Sequence, residues 1–309
     1  RPTLTDLLRW HRERRRRGLP MPPNQELSPA KPNLSLIHGD HCDGNVTWIG
    51  HSTLLVQMGK RNILTDPHFS LHASPLPGLG PKRWQAPGIT LHDLPDIDVV
   101  LISHNHYDHL DRASVQILDE RNNKLLFLVP LGLDHWFASN VPRAKIRTMG
   151  WDESVQMDEL EIVFVAVQHW SGRNLADTNR SLWGGFALRT PQTRFFFAGD
   201  LGYSADCTVI GHRYGPFDLA AIPIGAYEPR WFMCNQHVNP DEAVRVHRDI
   251  RARRSLGIHW GTFNGISDEP LDQPPRDLAL ALKKAGISEE EIFVVRHGES
   301  IPILPRNST

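Results

Sequence analysis

Ser103-His104-Asn105-His106-Tyr107-Asp108-His109-Leu110-Asp111 sets three histidines and an aspartate in the pattern H-x-H-x-D-H. Directly before it runs Asp98-Val99-Val100-Leu101-Ile102, a short apolar stretch rich in β-branched residues, which reads as a buried strand. Directly after it, Asp111 caps a helix predicted through Leu118. Four ligand-type side chains therefore leave the end of a buried strand, where layered α/β folds place their ligand sites. Imidazole suits zinc and similar transition metals, and carboxylate suits harder ions. Alternate side chains of an extended loop point opposite ways, so His104 and His106 can serve one ion, and Asp108 and His109 a second. A lone His-x-His is usually a polar surface loop; this longer pattern, placed after a buried strand, reads as a metal site.

Composition sets the outer limits. A chain of 309 residues with 40% apolar and 22% charged residues is globular, and a net charge of −1 gives no global attraction for nucleic acid. Seventeen histidines agree with a metalloprotein. Cys42, Cys207 and Cys234 are widely spaced and odd in number, so neither a disulfide framework nor a Cys-x-x-Cys zinc knuckle is expected. No apolar run approaches the roughly 18 residues of a spanning helix. The first residue is Arg1, which leaves room for a trimmed signal.

Working outward, residues 1–45 read as a basic N-terminal arm and Pro-rich linker, and residues 46–305 as the main domain. In the arm, Leu7, Leu8 and Trp10 stand beside Arg12 and Arg14 to Arg17. Such a segment either rests on an anionic membrane surface or packs on its own domain. Further buried-type strands are predicted around 46–51, 53–58, 62–65, 125–129, 160–167, 182–188, 194–198, 217–225 and 256–258. Asn239-Pro240-Asp241-Glu242 opens a helix expected to reach about Arg254. Residues 71–96, rich in Pro, Gly and Ser, read as a long loop and a wall of a substrate cleft.

A strand followed by a ligand-type residue recurs at Asp66, at the opening motif, at His169, at Asp200 and at His259. Each has an ordinary reading alone, as a turn former or a packed histidine. Their repetition points to one shared site. His104, His106 and His169 then hold one metal, Asp108, His109 and His259 the other, and Asp200 bridges them. Asp66 fits as the acceptor that fixes the tautomer of a metal-bound histidine. His51 fits equally a place near the metals and a satisfied core histidine.

H-x-H-x-D-H followed by a later His, a Gly-Asp and a final His resembles the metallo-β-lactamase superfamily. Ser103–Asp111, Phe195–Asp200, Gly215–Met233, Gln236–Val238, Ile258–Phe263 and Arg296–Ser300 resemble, more closely, the family of N-acylphosphatidylethanolamine-hydrolysing phospholipases D. The likeness spans roughly residues 46–300. It implies an α/β fold, a four-layer αββα sandwich, with two zinc ions in a cleft at one edge. Carried over position by position, the family's ligands fall on His104, His106, Asp108, His109, His169, Asp200 and His259, with Asp108, Asp200 and His237 in catalysis. It also suggests substrate contacts at Tyr107, Arg173 and Gln236. A homodimer, peripheral on the cytoplasmic face of a membrane and acting on phospholipids, is further implied. Leu201 stands where a threonine is usual, which removes no ligand.

Two metals about 3.5–4 Å apart lower the pKa of a shared water and clamp the oxygens of an in-line displacement. The expected reaction is attack of that bridging hydroxide on a phosphodiester, releasing phosphatidate and an N-acylethanolamine. The rivals are another hydrolase on the same scaffold (lactonase, esterase, β-lactamase or nucleotide phosphodiesterase), a di-iron redox protein, and a lipid-binding module with a decayed site. The complete ligand set argues against the last, and no flavin motif supports the second. Fold alone does not separate the hydrolases.

Overall fold

The computed structural model describes residues 3–39, 44–76, 78–174 and 176–305; Cys42 lies outside them, while Cys207 and Cys234 are free thiols. In chain order the helices are α1 (Leu4–Arg17), α2 (Leu34–Ile37), α3 (Arg112–Arg121), α4 (Asp134–Asn140), α5 (Asp206–Arg213), α6 (Arg230–Met233), α7 (Pro240–Asp249) and α8 (Gln273–Ala285). The first eight strands are β1 (Asn45–Gly50), β2 (Thr53–Met58), β3 (Arg61–Thr65), β4 (Lys82–Arg83), β5 (Val99–Leu101), β6 (Leu126–Pro130), β7 (Lys145–Met149) and β8 (Ser154–Met157). The rest are β9 (Leu160–Val165), β10 (Gly185–Arg189), β11 (Arg194–Phe197), β12 (Leu219–Pro223), β13 (Ser255–Ile258), β14 (Phe263–Asn264), β15 (Ile292–Phe293) and β16 (Ser300–Pro302).

Two seven-stranded sheets form, in the orders β16-β1-β2-β3-β5-β6-β7 and β15-β13-β12-β11-β10-β9-β8. Both are mixed: β3, β5, β6 and β7 run parallel in the first, and β11, β12, β13 and β15 in the second. Strands covered on both faces read as continuous apolar runs, since both sides of the pleat are dry. The segment before the metal motif shows this. Val99 and Leu101 join the layer between the sheets, whereas Val100 and Ile102 face α3 and α4. Phe195 and Phe197 likewise enter the central layer, and Phe196 turns outward to the cluster that includes α5, α7 and α8. The result is the four-layer αββα sandwich, with three apolar layers. Each fully buried Phe contributes about 1.5–3 kcal/mol.

Three local expectations are revised. Helix α7 ends at Asp249 rather than Arg254, because Arg251 takes a left-handed φ of 60° and the chain turns back. Strands β7 and β8 escape the apolar-run criterion because each has a single buried residue among exposed and half-buried ones. The 71–96 loop contains one short strand, β4, which pairs with β14.

The N-terminal arm packs on its own domain. Thr3 and Asp6 form a capping box at the start of α1, and Gly18 closes it in the left-handed conformation, φ 64°. Trp10 is buried, stacks on Phe232 at 4.7 Å and donates its indole N–H to Asp268 Oδ1 at 2.9 Å. Arg14 donates to the carbonyls of Gly265 and Ser267 and pairs with Asp268. Trp10 therefore does not belong to the outward face, which carries Leu7, Leu8, Arg9, Arg12, Arg15 and Arg16.

Candidate metal centre

The parallel strands place the site. β3 and β5, neighbours in one sheet, and β11 and β13, flanking β12 in the other, are each followed by a ligand-type residue: Asp66, the His104–His109 loop, Asp200 and His259. His169 follows β9, and His51 sits in the turn after β1. Several of these positions cost backbone energy. His51, Asp66 and His259 have φ of 55°, 34° and 64°, a region non-glycine residues rarely adopt, and such strain gathers at functional sites. Before Asp200, Gly199 has φ 61°; a Cβ there would lie 2.8 Å from Ser103 Cβ and 2.9 Å from the carbonyl of Gly184. Only glycine lets β11 turn against the metal loop.

The seven residues expected as ligands converge. His104, His106, His169 and Asp200 offer ligand atoms within 4.8 Å of one another, and so do His51, Asp108, His109 and His259. Asp200 reaches both sets. Its Oδ1 lies 3.1 Å from His259 Nε2; its Oδ2 lies 3.0 Å from His109 Nε2, 3.9 Å from His104 Nε2 and 3.8 Å from His169 Nε2. The sequence left His51 undecided. Its Nε2 contacts Asp108 Oδ2 at 2.9 Å, so it stands against the second set. The same strand-end placement that marks Asp66 marks His51.

The donors fit metal ions. His109 Nε2, His259 Nε2 and Asp200 Oδ1 are buried without a hydrogen-bond partner, although they face one another. Orphaned buried polar atoms are costly unless something fills the gap. Burial and neighbouring histidines hold His104 and His106 well below the ordinary imidazole pKa, so their lone pairs are free. Burial pushes His169 down to about 4. Burial opposes ionisation of Asp108 and Asp200, yet the adjacent His109 keeps both well below the usual carboxylate range. Burial also opposes charge on His109 and His259, but Asp200 and Asp108 outweigh it; His109 is held well above its usual range and His259 at about 9. The carboxylates thus demand positive charge at two imidazoles, and bound cations would replace those protons.

Outer partners orient the ligands. Asp66 Oδ2 accepts from His109 Nδ1 at 2.7 Å, and its Oδ1 accepts from the Ser103 amide at 2.7 Å. Ser103 Oγ also donates to Asp66 and lies 2.9 Å from His104 Nδ1. The Gln236 carbonyl accepts from His169 Nδ1 at 2.9 Å. Asp66→Asn should lower metal affinity or turnover by about 10–100-fold, since the amide cannot accept in both directions. Chelator-competition titration reads this directly, and an unchanged affinity would reduce Asp66 to a turn former. Leu201, next to Asp200 in the chain, is buried in the outer apolar layer.

Tyr107, Arg173, Gln236 and His237 border one cleft of about 570 Å³ that ends on His106, Asp108 and Asp200. His237 Nδ1 stands 3.9 Å from Asp200 Oδ2. Arg173 does more than border the cleft. Its Nη1 donates to the carbonyls of Asn105 and Leu110, both at 2.9 Å, and its guanidinium lies 3.9 Å over the Tyr107 ring. It clamps the metal loop at both ends, a task invisible in the sequence because those acceptors are backbone atoms.

The Beta-lactamase superfamily domain family matches residues 61–260. That match, the four-layer fold and the His/Asp set at its strand ends define a metal-dependent hydrolase of the metallo-β-lactamase fold. Over 249 residues the chain is 43% identical to N-acyl-phosphatidylethanolamine-hydrolyzing phospholipase D 1 of Caenorhabditis elegans, covering 77% of this chain and 69% of that protein. It is 35% identical over 261 residues to the mitochondrial N-acyl-phosphatidylethanolamine-hydrolyzing phospholipase D of Saccharomyces cerevisiae, covering 81% of this chain and 54% of that protein. The crystal structure of a possible metal-dependent hydrolase from Veillonella parvula shares the fold, with a TM-score of 0.68 at 16% identity over 84% of this chain and 99% of that one. The chain belongs, within the superfamily, to the family of N-acyl-phosphatidylethanolamine-hydrolysing phospholipases D.

Proposed function

We propose that this chain is a zinc-dependent phosphodiesterase of phospholipase D type, cleaving N-acylphosphatidylethanolamine to phosphatidate and an N-acylethanolamine. The observation that carries this reading is an apolar cleft ending on both ligand clusters. Leu7, Trp10, Trp170, Phe232, Met233 and Ile266 line it, walls suited to lipid chains. Two zinc ions would supply Lewis acidity and an acidified water. His104, His106 and His169 would hold one, Asp108, His109 and His259 the other, with Asp200 between. The chain's other groups then orient and accept. Tyr107 and Gln236 position the phosphodiester. Burial pushes His237 to about 3, so it is neutral at pH 7 and its unpartnered Nδ1 serves as a hydrogen-bonding group beside Asp200. Hydrolysis in oxygen-18 water should place the label on the phosphatidate. Label in a released fatty acid would show carbonyl attack, and the esterase or lactonase reading would replace this one.

The same proposal includes a peripheral membrane position on the cytoplasmic face and a homodimer, the latter checked by light scattering. Support for the surface comes from the outer face of α1. Leu8 is 63% exposed and Leu7 37%, beside Trp231 at 39%. The Arg9 guanidinium lies 4.2 Å over the Trp231 ring, and Arg12, Arg15 and Arg16 continue the face. Each basic residue near an anionic surface contributes about 1 kcal/mol. Leu8→Glu with Arg12→Glu and Arg16→Glu should therefore weaken sedimentation with phosphatidylserine vesicles and remove most of its salt dependence. These residues avoid Trp10 and Arg14, so the arm stays docked. Sedimentation equal to wild type would leave α1 as a structural arm only.

A further inference from the structure

A second cavity of about 510 Å³ reaches the metal centre from the other side of α1. It and the cleft already described share three residues: Trp10, Asp108 and Ile266. Asp108 is where they meet. Trp10 and Ile266 stand between them further out. The partition is fixed, because Trp10 is held by the Asp268 carboxylate, by stacking on Phe232, and by the Arg14 guanidinium 4.9 Å from its ring.

The two sides differ in chemistry. The first is walled by aromatic and aliphatic groups and opens beside the exposed Leu7. The second has small walls at Ala73 and Gly80, with polar groups at His11 and Asn264. Arg14 borders it too, but its charge is taken up by Asp268 and by the Gly265 and Ser267 carbonyls. Each volume falls within the roughly 300–1,000 Å³ of small-molecule sites. A phosphodiester carries two substituents on one phosphorus, and here two passages diverge from one centre.

We propose that Trp10 splits the approach to the metal centre into two limbs, one for each substituent of the diester. The glycerolipid lies in the apolar limb, and the N-acylethanolamine substituent lies in the limb lined by Ala73, His11 and Asn264. The inference rests on the phospholipase D reading above and extends it to which arm goes where. The bilayer-anchored half of the substrate enters where the apolar mouth is. The amide of the other half meets the polar groups of the second limb. The acyl tail beyond that amide runs past Ala73, so a larger side chain there shortens the tail that fits.

The test fills each limb separately in the full chain with its metals. Ala73→Phe narrows the second limb; Asn264→Trp does so from the facing wall, should Ala73→Phe fail to fold. Thr178→Trp narrows the apolar limb. Two substrate series are compared by kcat/KM: N-acetyl against N-palmitoyl headgroups on one glycerolipid, and short against long glycerolipid chains under one headgroup. Filling the second limb should reduce the N-palmitoyl/N-acetyl ratio by about tenfold, the scale at which pockets discriminate apolar bulk, and leave the glycerolipid ratio as in wild type. Thr178→Trp should do the reverse. Equal losses across both series, or the opposite pattern, would overturn the assignment of limbs. A wild-type protein that cleaves no member of either series would instead overturn the phospholipase D reading itself, and the two failures are distinct.

Discussion

Asp200→Asn should lower kcat/KM by about 10²–10⁴-fold and leave the protein short of metal. Among the described residues, Asp200 is the one carboxylate whose two oxygens face both candidate ligand sets, Oδ1 toward His259 and Oδ2 toward His109, His104 and His169. Asparagine keeps the shape but removes the charge, and it turns an N–H₂ toward imidazoles that need an acceptor or a cation. Removing one partner from a buried charged constellation costs about 3–5 kcal/mol, and 1.36 kcal/mol is one factor of ten. Elemental analysis on protein purified without chelator should give two metals per chain for wild type and fewer for the variant. Near-normal turnover with both metals retained would remove Asp200 from the bridging position.

The second large effect concerns stability. Trp48→Ala should destabilise the fold by about 3–5 kcal/mol, a large part of the 5–15 kcal/mol typical of a whole protein. Trp48 is fully buried between the sheets, 5.4 Å from the Trp260 ring, with its edge-on contact to His297 at 4.4 Å. It also donates its indole N–H to the His51 carbonyl at 2.9 Å, and that carbonyl receives the His259 amide at 3.1 Å. The cavity therefore opens directly behind the metal centre. Trp48→Phe, which fills most of the space but cannot donate, should lose less, with about 0.5–1.5 kcal/mol of its cost coming from the hydrogen bond. Urea denaturation of the two variants separates these contributions. A Trp48→Ala midpoint close to wild type would mean that the central layer closes over the gap.

The candidate site residues, Asp66 behind them included, were legible because geometry repeats: a dry strand ends, and a polar residue stands at its lip. His104, His106, Asp108 and His109 needed only a run of nine residues, and Asp66, His169, Asp200 and His259 needed only the strands before them. What stayed hidden depends on partners far away in the chain. Trp10 meets Phe232 and Asp268, over 200 positions distant, so no local pattern says whether it faces lipid or protein. Arg173 borders the cleft, and only the fold shows that its Nη1 also holds two backbone carbonyls of the metal loop. Strands β7 and β8 stayed unread because Lys145–Met149 and Ser154–Met157 mix exposed and buried positions without a long apolar stretch.

The ligand set draws on both sheets. Asp108 and the three histidines of the motif follow β5 in one, whereas His169, Asp200 and His259 follow β9, β11 and β13 in the other. Ions held there would act as rivets through the rim of the sandwich. Pulling them out would leave the sheets joined by their greasy filling but unfastened at that edge, so that departure of metal and fraying of the rim would become one event. Amide exchange at the ends of β5 and β11 should quicken together on adding chelator, while the outer helix α8 keeps its pace.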